Sequence, residues 1–186
     1  MSIIIAGRLV QISSGAAPSF VKNCSPAIQK VFVDENLIWA QVENTIIRPF
    51  LNISEDESLD AEQKSKALTE LGLSEGSYGL SKASVNAYTV ELAKRFPTIL
   101  VNSCSPGFIQ TDLGRGFAYK HGKTPEDMGM LPVEKGTIAP TYLLMGDLEG
   151  DIAGYRSGRY YGSDAKWSPF HKSRSPGDPA YDGTFP

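Results

Sequence analysis

The stretch Tyr78-Gly79-Leu80-Ser81-Lys82 begins a predicted helix and carries a tyrosine and a lysine four residues apart. Apolar residues at three- and four-residue spacing predict that this helix runs to about Phe96 and faces a core through Val85, Tyr88, Leu92 and Phe96. Residues four apart lie one turn from each other on the same helix face, so Tyr78 and Lys82 can serve one site. A neighbouring cation and the positive end of the helix dipole both favour the phenolate form of a tyrosine. That preference suits a general acid working near neutral pH.

A second tyrosine–lysine pair with the same spacing shows that spacing alone is weak evidence. It lies in Tyr119-Lys120-His121-Gly122-Lys123, within a glycine-rich stretch from Gly114 to Pro132. That stretch is predicted to be irregular and is a candidate mobile flap. Four-residue spacing aligns nothing in a loop, so the neighbours of Tyr78 must decide whether it is catalytic or part of a surface helix turn.

Composition and charge exclude several classes of protein. At 186 residues, with 41% hydrophobic and 21% charged residues, the chain has the size and composition of one soluble globular domain. A net charge of -3 gives no basic surface for nucleic acid, and no apolar run has membrane-spanning length. Its two cysteines, Cys24 and Cys104, predict neither a disulfide framework nor a metal cluster. With no export signal in the sequence, they predict reduced thiols and a cytoplasmic location.

Two apolar runs that end in small polar residues have the pattern of buried parallel strands. Leu9-Val10-Gln11-Ile12 is followed by Ser13-Ser14-Gly15, and Ile99 to Cys104 is followed by Ser105-Pro106-Gly107. Ligands bind at the carboxyl ends of strands in open α/β sheets, so the serine pair lies where chemistry is expected. Serines that simply end a strand are the commoner explanation of such a pair.

The other predicted elements complete an α/β pattern. Residues 18–77 are predicted to form a helical insertion, and residues 162–186 a C-terminal tail. Within the insertion, a helix is predicted from Asp34 to Phe50. A later helix is predicted from Val133 to Met145, with Ile138, Tyr142 and Leu143 facing inward, and a last strand from Ser157 to Tyr161. Alternation of strands with helices is typical of a parallel sheet, here of three strands.

Rival catalytic motifs are incomplete. Gly79-Leu80-Ser81-Lys82-Ala83 is one residue from a hydrolase nucleophile elbow, but no strand is predicted before it. The two histidines, His121 and His171, lie in loop-like stretches and offer no partner to Ser81. No group of His, Cys and Asp has metal-ligand spacing.

Three motifs together resemble the short-chain dehydrogenase/reductase family over Gly7 to about Tyr161. They are Gly7-Arg8-Leu9-Val10-Gln11-Ile12-Ser13-Ser14, the stretch from Tyr78 to Lys82, and Asn102-Ser103-Cys104-Ser105-Pro106-Gly107-Phe108-Ile109-Gln110-Thr111. Each motif is weak alone, but the three in this order are a specific signal. The long insertion, with Asn23-Cys24-Ser25-Pro26 inside it, resembles the carbonyl reductase branch. A plant-type alkaloid or terpenoid reductase is a rival within the same class, because it can share the insertion.

The resemblance implies a Rossmann-type enzyme that reduces a ketone, aldehyde or quinone to an alcohol with NADPH. Tyr78 would donate a proton to the carbonyl oxygen, and Ser14 would hydrogen-bond that oxygen. Lys82 would assist the tyrosine and hold the nicotinamide ribose. Members of this branch are mostly monomeric, since their insertion covers the helix face through which other members form tetramers. The resemblance thus implies a small-molecule carbonyl substrate as the partner, while the charge and the length of the apolar runs predict no nucleic acid and no membrane.

The resemblance also implies a nicotinamide site after the second strand. Pro106 and Gly107 would line the nicotinamide ring, and the backbone of Ile109 would contact its carboxamide. Thr111 would bind the carboxamide or a phosphate. No metal is implied.

The sequence departs from the family at its start. The family begins with a strand and a glycine-rich turn that cradles the cofactor pyrophosphate, and neither is found here. The basic residues that select the NADP phosphate and the asparagine of the proton relay are not found either. Residues 1–186 are therefore predicted to be one partial domain, a Rossmann-type sheet truncated by loss of its N-terminal cofactor-binding half, with an exposed sheet edge.

Three explanations of this departure stay open. The chain is a fragment of a full reductase, or it needs a partner chain that supplies the missing strands, or it is a non-catalytic remnant that acts as an interaction or scaffold protein. Retention of the set Ser14, Tyr78 and Lys82 favours the first.

Overall fold

Residues 7–146 and 157–185 are described in the computed structural model of the chain, and they contain one four-stranded sheet. Its strands are β1 (Gly7–Ile12), β2 (Ile99–Cys104), β3 (Tyr160–Tyr161) and β4 (Trp167–Ser168). They lie in the order β1-β2-β3-β4, with the first three parallel and β4 antiparallel to β3. The predicted α/β class with a parallel sheet is confirmed. The predicted count of three strands is wrong for the described residues, because the C-terminal tail contributes β4.

Helices alternate with the strands. In the part of the chain that the structure describes, they are α1 (Ala16–Lys22), α2 (Pro26–Val33), α3 (Trp39–Val42), α4 (Arg48–Glu55), α5 (Ala61–Glu70), α6 (Ser77–Arg95), α7 (Asp112–Lys120) and α8 (Ile138–Met145). A π-helical turn (Glu43–Ile47) joins α3 to α4, and a 3₁₀ turn (Val133–Thr137) leads into α8. The sequence explains where α5 begins, because Asp60 and Gln63 form a capping box that satisfies backbone N–H groups at the helix start.

The register of β1 and β2 brings the predicted site segments together at the carboxyl ends of these two strands. Pairing runs from Gly7 opposite Ile99 to Ile12 opposite Cys104, so the two parallel strands end side by side. Ser13 extends the ladder by donating its backbone N–H to the Cys104 carbonyl at 2.8 Å. The residues that follow β1 therefore lie beside those that follow β2.

The helix predicted from Tyr78 to Phe96 is present as α6, but the predicted buried face is wrong. Tyr88 and Phe96 are exposed, and Val85 and Leu92 are only half-buried. The side chains that α6 buries are Leu80, Ala83, Asn86, Ala87 and Thr89. These mostly small residues let α6 lie close to α1 and β2, whereas the larger apolar residues of the predicted stripe face outward.

The insertion of residues 18–77 builds most of the hydrophobic core against α6. Its largest buried side chains include Phe20, Phe32, Leu37, Ile46 and Phe50. The helix predicted from Asp34 to Phe50 begins later, at Trp39, and continues to Glu55. The π-helical turn precedes Pro49, which has no N–H to continue the α-helical bonding. Arg48 accordingly donates its backbone N–H to the Glu43 carbonyl, one residue further back than in an α-helix.

The stretch from Gly114 to Pro132 was predicted to be irregular, and this is wrong for its first part. It contains most of α7, which begins where the Thr111 hydroxyl accepts a hydrogen bond from the Gly114 N–H at 3.3 Å. Tyr119 therefore lies in the last turn of a helix, not in a loop, and Lys123 lies beyond that helix.

The helix predicted from Val133 to Met145 is divided into the 3₁₀ turn and α8. Ala139 and Leu143 are its buried residues, packed beside Cys104 and Tyr161. The predicted inward position of Leu143 is confirmed, and those of Ile138 and Tyr142 are wrong because both are exposed. The predicted third strand is limited to Tyr160–Tyr161, and it pairs with the end of β2.

Candidate catalytic site

Two hydrogen bonds join the end of β1 to the start of α6. Ser13 Oγ donates to the backbone carbonyl of Lys82 at 3.0 Å, and Lys82 Nζ donates to the backbone carbonyl of Ile12 at 3.0 Å. The Ser13 side chain is buried, so its bond to the helix is shielded from water. These bonds hold the Lys82 ammonium at the carboxyl end of β1, beside the carboxyl end of β2.

Tyr78 lies in the first turn of α6 with its side chain 55% exposed. Lys82 Nζ is 5.9 Å from the centroid of the Tyr78 ring, so the pair shares one helix face as the spacing predicted. Gly79, between them, is required by close packing. A Cβ there would lie 2.8 Å from Phe20 Cβ and 3.3 Å from the Ala16 carbonyl oxygen. Glycine therefore lets α6 begin against α1 while Tyr78 stays open to a ligand.

Ser14 directly follows the residues that hold Lys82. Its side chain is half-buried, and its Oγ accepts a hydrogen bond from the Ala16 N–H at 3.2 Å. A serine hydroxyl that accepts one hydrogen bond still has a proton to donate. The structure thus places Ser14, Tyr78 and Lys82 at the same end of β1, with open access for a small molecule at Tyr78.

The residues predicted to line a nicotinamide follow β2, at the carboxyl end that lies beside the end of β1. Gly107 has φ +92, a conformation that favours glycine, and its N–H donates to Ser105 Oγ at 3.1 Å. Ser105 in turn donates its N–H to the Tyr161 carbonyl at 2.9 Å, which fixes the turn containing Pro106 to the sheet.

Ile109 is held by a parallel bridge to Leu131. Leu131 donates its N–H to the Phe108 carbonyl and accepts from the Gln110 N–H, so the Ile109 N–H is directed away from Leu131. Thr111 has a structural role, since its hydroxyl caps α7.

These groups fit the nicotinamide end of a dinucleotide. The Lys82 ammonium and the Ile109 N–H are donors near the carboxyl ends of β1 and β2, which would suit a ribose hydroxyl and a carboxamide. The sequence has no glycine-rich phosphate-binding pattern of the G-x-G-x-x-G type. The chain's own residues therefore fit one end of the cofactor.

A buried polar network behind this site was missed in the sequence. Ser103 Oγ donates to Asn86 Oδ1 at 2.8 Å, and Thr89 Oγ1 donates to Gln11 Oε1 at 3.2 Å. Both bonds join α6 to the sheet. Asn86 lies one turn after Lys82 on the face that starts at Tyr78, and this spacing was the signal available for it.

Thiol and metal chemistry have little support here. Burial raises the pKa of Cys104, at the end of β2, to about 12, so this thiol stays protonated near neutral pH. Among the described residues, no group of three or more His, Cys, Asp or Glu side chains is arranged to hold a metal ion.

None of the helices described has the length and hydrophobicity to cross a membrane.

Comparison with curated proteins finds reductases. Carbonyl reductase (NADPH) 3 of Rattus norvegicus is 28% identical over 145 residues, covering 75% of this chain and 45% of that protein. Carbonyl reductase (NADPH) 1 of Homo sapiens is 27% identical over 140 residues, covering 72% and 46%. Short-chain dehydrogenase/reductase 1 of Saponaria officinalis is 34% identical over 84 residues, covering 45% and 22%. The chain spans about half the length of the carbonyl reductases that it matches.

Comparison with solved structures finds the same fold. Salutaridine reductase from Papaver somniferum superposes with a TM-score of 0.52 at 22% identity, covering 83% of this chain and 44% of that one. No family model matches the chain. Over about 75% of its length the chain is therefore similar to carbonyl reductases and other short-chain dehydrogenases/reductases, as its motifs predicted.

Proposed function

We propose that this chain is the catalytic part of a cytoplasmic short-chain reductase that uses NADPH to reduce a ketone, aldehyde or quinone to an alcohol. The observation that carries the proposal is the pair of hydrogen bonds that holds Lys82 between the end of β1 and Tyr78. The similarity to carbonyl reductases supports the reaction class. Both cysteines are free and buried, which fits a reducing compartment.

Ser14, Tyr78 and Lys82 would have separate roles in the reduction of a carbonyl group. NADPH, when bound, supplies the hydride. The Ser14 hydroxyl hydrogen-bonds the carbonyl oxygen and stabilises the negative charge that develops there. The exposed Tyr78 hydroxyl donates a proton to the same oxygen, and the Lys82 ammonium lies on the same helix face, 5.9 Å from the centroid of the Tyr78 ring. Proton donation and charge stabilisation are thus directed at one atom.

The nicotinamide end of the cofactor would be held by Lys82 of α6 and by residues that follow β2. Lys82 would bind the ribose, and the Ile109 N–H would bind the carboxamide. Pro106 and Gly107 would lie against the ring. Thr111 would bind the carboxamide or a phosphate through its hydroxyl proton, since its oxygen lone pairs already cap α7.

The edge of β1 supports the proposal that further strands complete the enzyme. Within residues 7–146 and 157–185, β1 pairs only with β2, and its other edge has no neighbouring strand. Leu9 and Ile12 on β1 are 40% and 47% exposed. An apolar strand edge of this kind favours pairing with another strand. We propose that cofactor-binding strands, from a longer chain or a partner chain, pair there.

We further propose that the complete enzyme is a monomer. The insertion covers part of the outer face of α6, where the Trp39 and Tyr88 rings meet edge-on with centroids 5.0 Å apart. Near the end of α6, Lys94 adds a hydrogen bond to the Leu37 carbonyl. This coverage reduces the area of α6 that a second subunit could contact, which supports the proposal.

An interaction protein without catalytic activity is the second candidate function. The same exposed edge, Leu9 and Ile12 on β1, favours it, because an unpaired apolar strand is a common docking surface. On this alternative the edge would bind a partner, and the chain would bind no nicotinamide cofactor even after the sheet is completed.

NADPH titration tests the proposal. NADPH would be titrated by calorimetry into the 186-residue chain and into the same chain fused behind the dinucleotide-binding half of a carbonyl reductase. We expect no saturation below roughly millimolar NADPH for the chain alone and a Kd of about 1–100 micromolar for the fusion. Lys82→Met in the fusion is expected to weaken binding by about tenfold.

Two outcomes would contradict this account. Micromolar binding by the chain alone would show that it has its own pyrophosphate site and needs no further strands. A folded fusion that binds no NADPH, or binds it equally well with Lys82→Met, would favour the interaction protein.

A further inference from the structure

A cavity of about 580 Å³ lies at the end of the molecule opposite the candidate catalytic site. Its walls come from the last turns of α6, the segment entering β3, the turn after α2 and the C-terminal tail. Ser157, in that wall, accepts a hydrogen bond from the Val101 N–H on the first half of β2. Val90, also in the wall, is about 12 Å further along α6 than Lys82 at ~1.5 Å per residue. The cavity is therefore separate from the Tyr78 site.

The tail supplies an aromatic wall for this cavity. The lining rings are Trp167, Phe170, His171, Tyr181 and Phe185. The Trp167 and Tyr181 rings meet edge-on with centroids 5.0 Å apart, and His171 meets Phe185 edge-on at 4.8 Å. Aromatic walls of this size suit flat aromatic ligands, which add further edge-to-face and offset contacts.

Two polar side chains in this wall, Arg159 and His171, have buried nitrogen atoms without a hydrogen-bond partner in the described structure. Arg159 Nε can only donate, so the group that can both donate and accept is His171. It is 3% exposed, and neither of its ring nitrogens has a hydrogen-bond partner. Burial lowers the pKa of His171, and the charge of Lys172 lowers it further, so the imidazole is neutral near pH 7. A neutral imidazole has one donor nitrogen and one acceptor nitrogen, and leaving both unpaired costs free energy. A hydroxyl group both donates and accepts, so it can pair with either nitrogen.

The charges around the cavity disfavour a charged ligand. Asp34, Glu35 and Asp182 lie in its wall and oppose an anion. Lys94 and Arg159 also lie in the wall and oppose a cation, and the guanidinium of Arg159 already occupies the face of Trp167, 3.8 Å from that ring centroid. The cavity wall therefore disfavours both anionic and cationic ligands, so a neutral ligand fits it best.

We infer that this cavity binds a flat, neutral aromatic molecule that carries a hydroxyl group, held by the aromatic wall and by a hydrogen bond to His171. The ligand class is thus a phenol. The inference goes beyond the reductase activity, because it concerns a second site that uses none of Ser14, Tyr78 or Lys82.

Binding of four shape-matched probes to the 186-residue chain tests the inference. The probes are 2-naphthol, naphthalene, 2-naphthoate and 2-naphthylmethylammonium, and binding is followed by calorimetry and by quenching of tryptophan fluorescence in a Trp39→Phe background, which leaves Trp167 as the emitter. We expect 2-naphthol to bind about tenfold more tightly than naphthalene, the factor expected from one hydrogen bond to a buried group. Both charged probes are expected to bind more weakly than 2-naphthol. Equal affinities, or tightest binding of a charged probe, would overturn the inference.

His171→Phe locates the site, because it keeps a ring in the wall and removes both nitrogens. The variant is expected to bind 2-naphthol and naphthalene equally. His121→Phe is the matched control, since His121 lies at the end of α7 against Phe117 and outside this wall. It should keep the tenfold preference, and loss of the preference in this control would overturn the inference.

A measurement on the unmodified chain covers the case in which His171→Phe does not fold. Addition of 2-naphthol should shift the ring nitrogen resonances of His171 in ¹⁵N-labelled protein and leave those of His121 unchanged. Saturating 2-naphthol without a shift at His171 would overturn the inference.

Discussion

The two serines after β1 have different contacts and so are expected to have different functions. Ser13 is buried and hydrogen-bonds the Lys82 carbonyl, whereas Ser14 is half-buried and hydrogen-bonds the nearby Ala16 N–H. The sequence motif identified Ser14, and it could not reveal the contact of Ser13, because that contact joins residues far apart in the chain. Ser13 is therefore a positioning residue for Lys82, and Ser14 is the residue that would contact substrate.

Ser13→Ala and Ser14→Ala should separate these two roles. Ser13→Ala is expected to lower the free energy of unfolding by about 1 kcal/mol, because it removes a buried hydrogen bond. Ser14→Ala should cost less stability, yet it should cause the larger loss of kcat in a form that is complete for cofactor binding. Urea unfolding and steady-state kinetics of both variants test this, and the reverse order of either effect would contradict the assignment.

At the scale of elements, the course of the chain was more predictable than the faces that its helices bury. Tyr78, Lys82 and the strand from Ile99 to Cys104 were identified from local pattern alone. The buried face of α6 was not, because close packing against α1 selects small residues there, and no apolar periodicity marks them. The start of α7 was missed because Gly114 and Gly116 disfavour a helix, whereas the cap at Thr111 and the burial of Ala118, which favour it, depend on the folded structure.

Gly79→Ala tests the close packing of α6 on α1. Alanine favours a helix by about 1 kcal/mol over glycine, but its Cβ would overlap Phe20 Cβ at 2.8 Å. We expect a net loss of about 1–3 kcal/mol in the free energy of unfolding. Gly116→Ala in α7 is the matched control, because a Cβ there has nothing within 4 Å, and it should stabilise by up to about 1 kcal/mol. Similar effects of both changes in chemical denaturation would contradict this packing.

At the scale of the whole molecule, β1 has one edge without a neighbouring strand among the described residues, and this edge is a candidate surface for association. Leu9→Lys places a charge on that edge and should reduce self-association of the 186-residue chain at high concentration. Leu71→Lys is the matched control, because Leu71 is similarly exposed in the insertion, away from the sheet. Analytical ultracentrifugation measures the effect. Equal reduction by both variants would show that the edge is not the associating surface.

The most direct test of the central claim is the rate of NADPH-dependent carbonyl reduction. It is measured with a quinone as substrate, in the chain fused behind the dinucleotide-binding half of a carbonyl reductase. Tyr78→Phe is expected to lower kcat by at least about 100-fold, the contribution of a positioned general acid, with NADPH affinity little changed. Tyr119→Phe removes the hydroxyl from the second tyrosine–lysine pair and should leave kcat within about twofold. A Tyr78→Phe enzyme that keeps more than about a tenth of the activity, or equal losses in both variants, would contradict the assignment of Tyr78 as the proton donor.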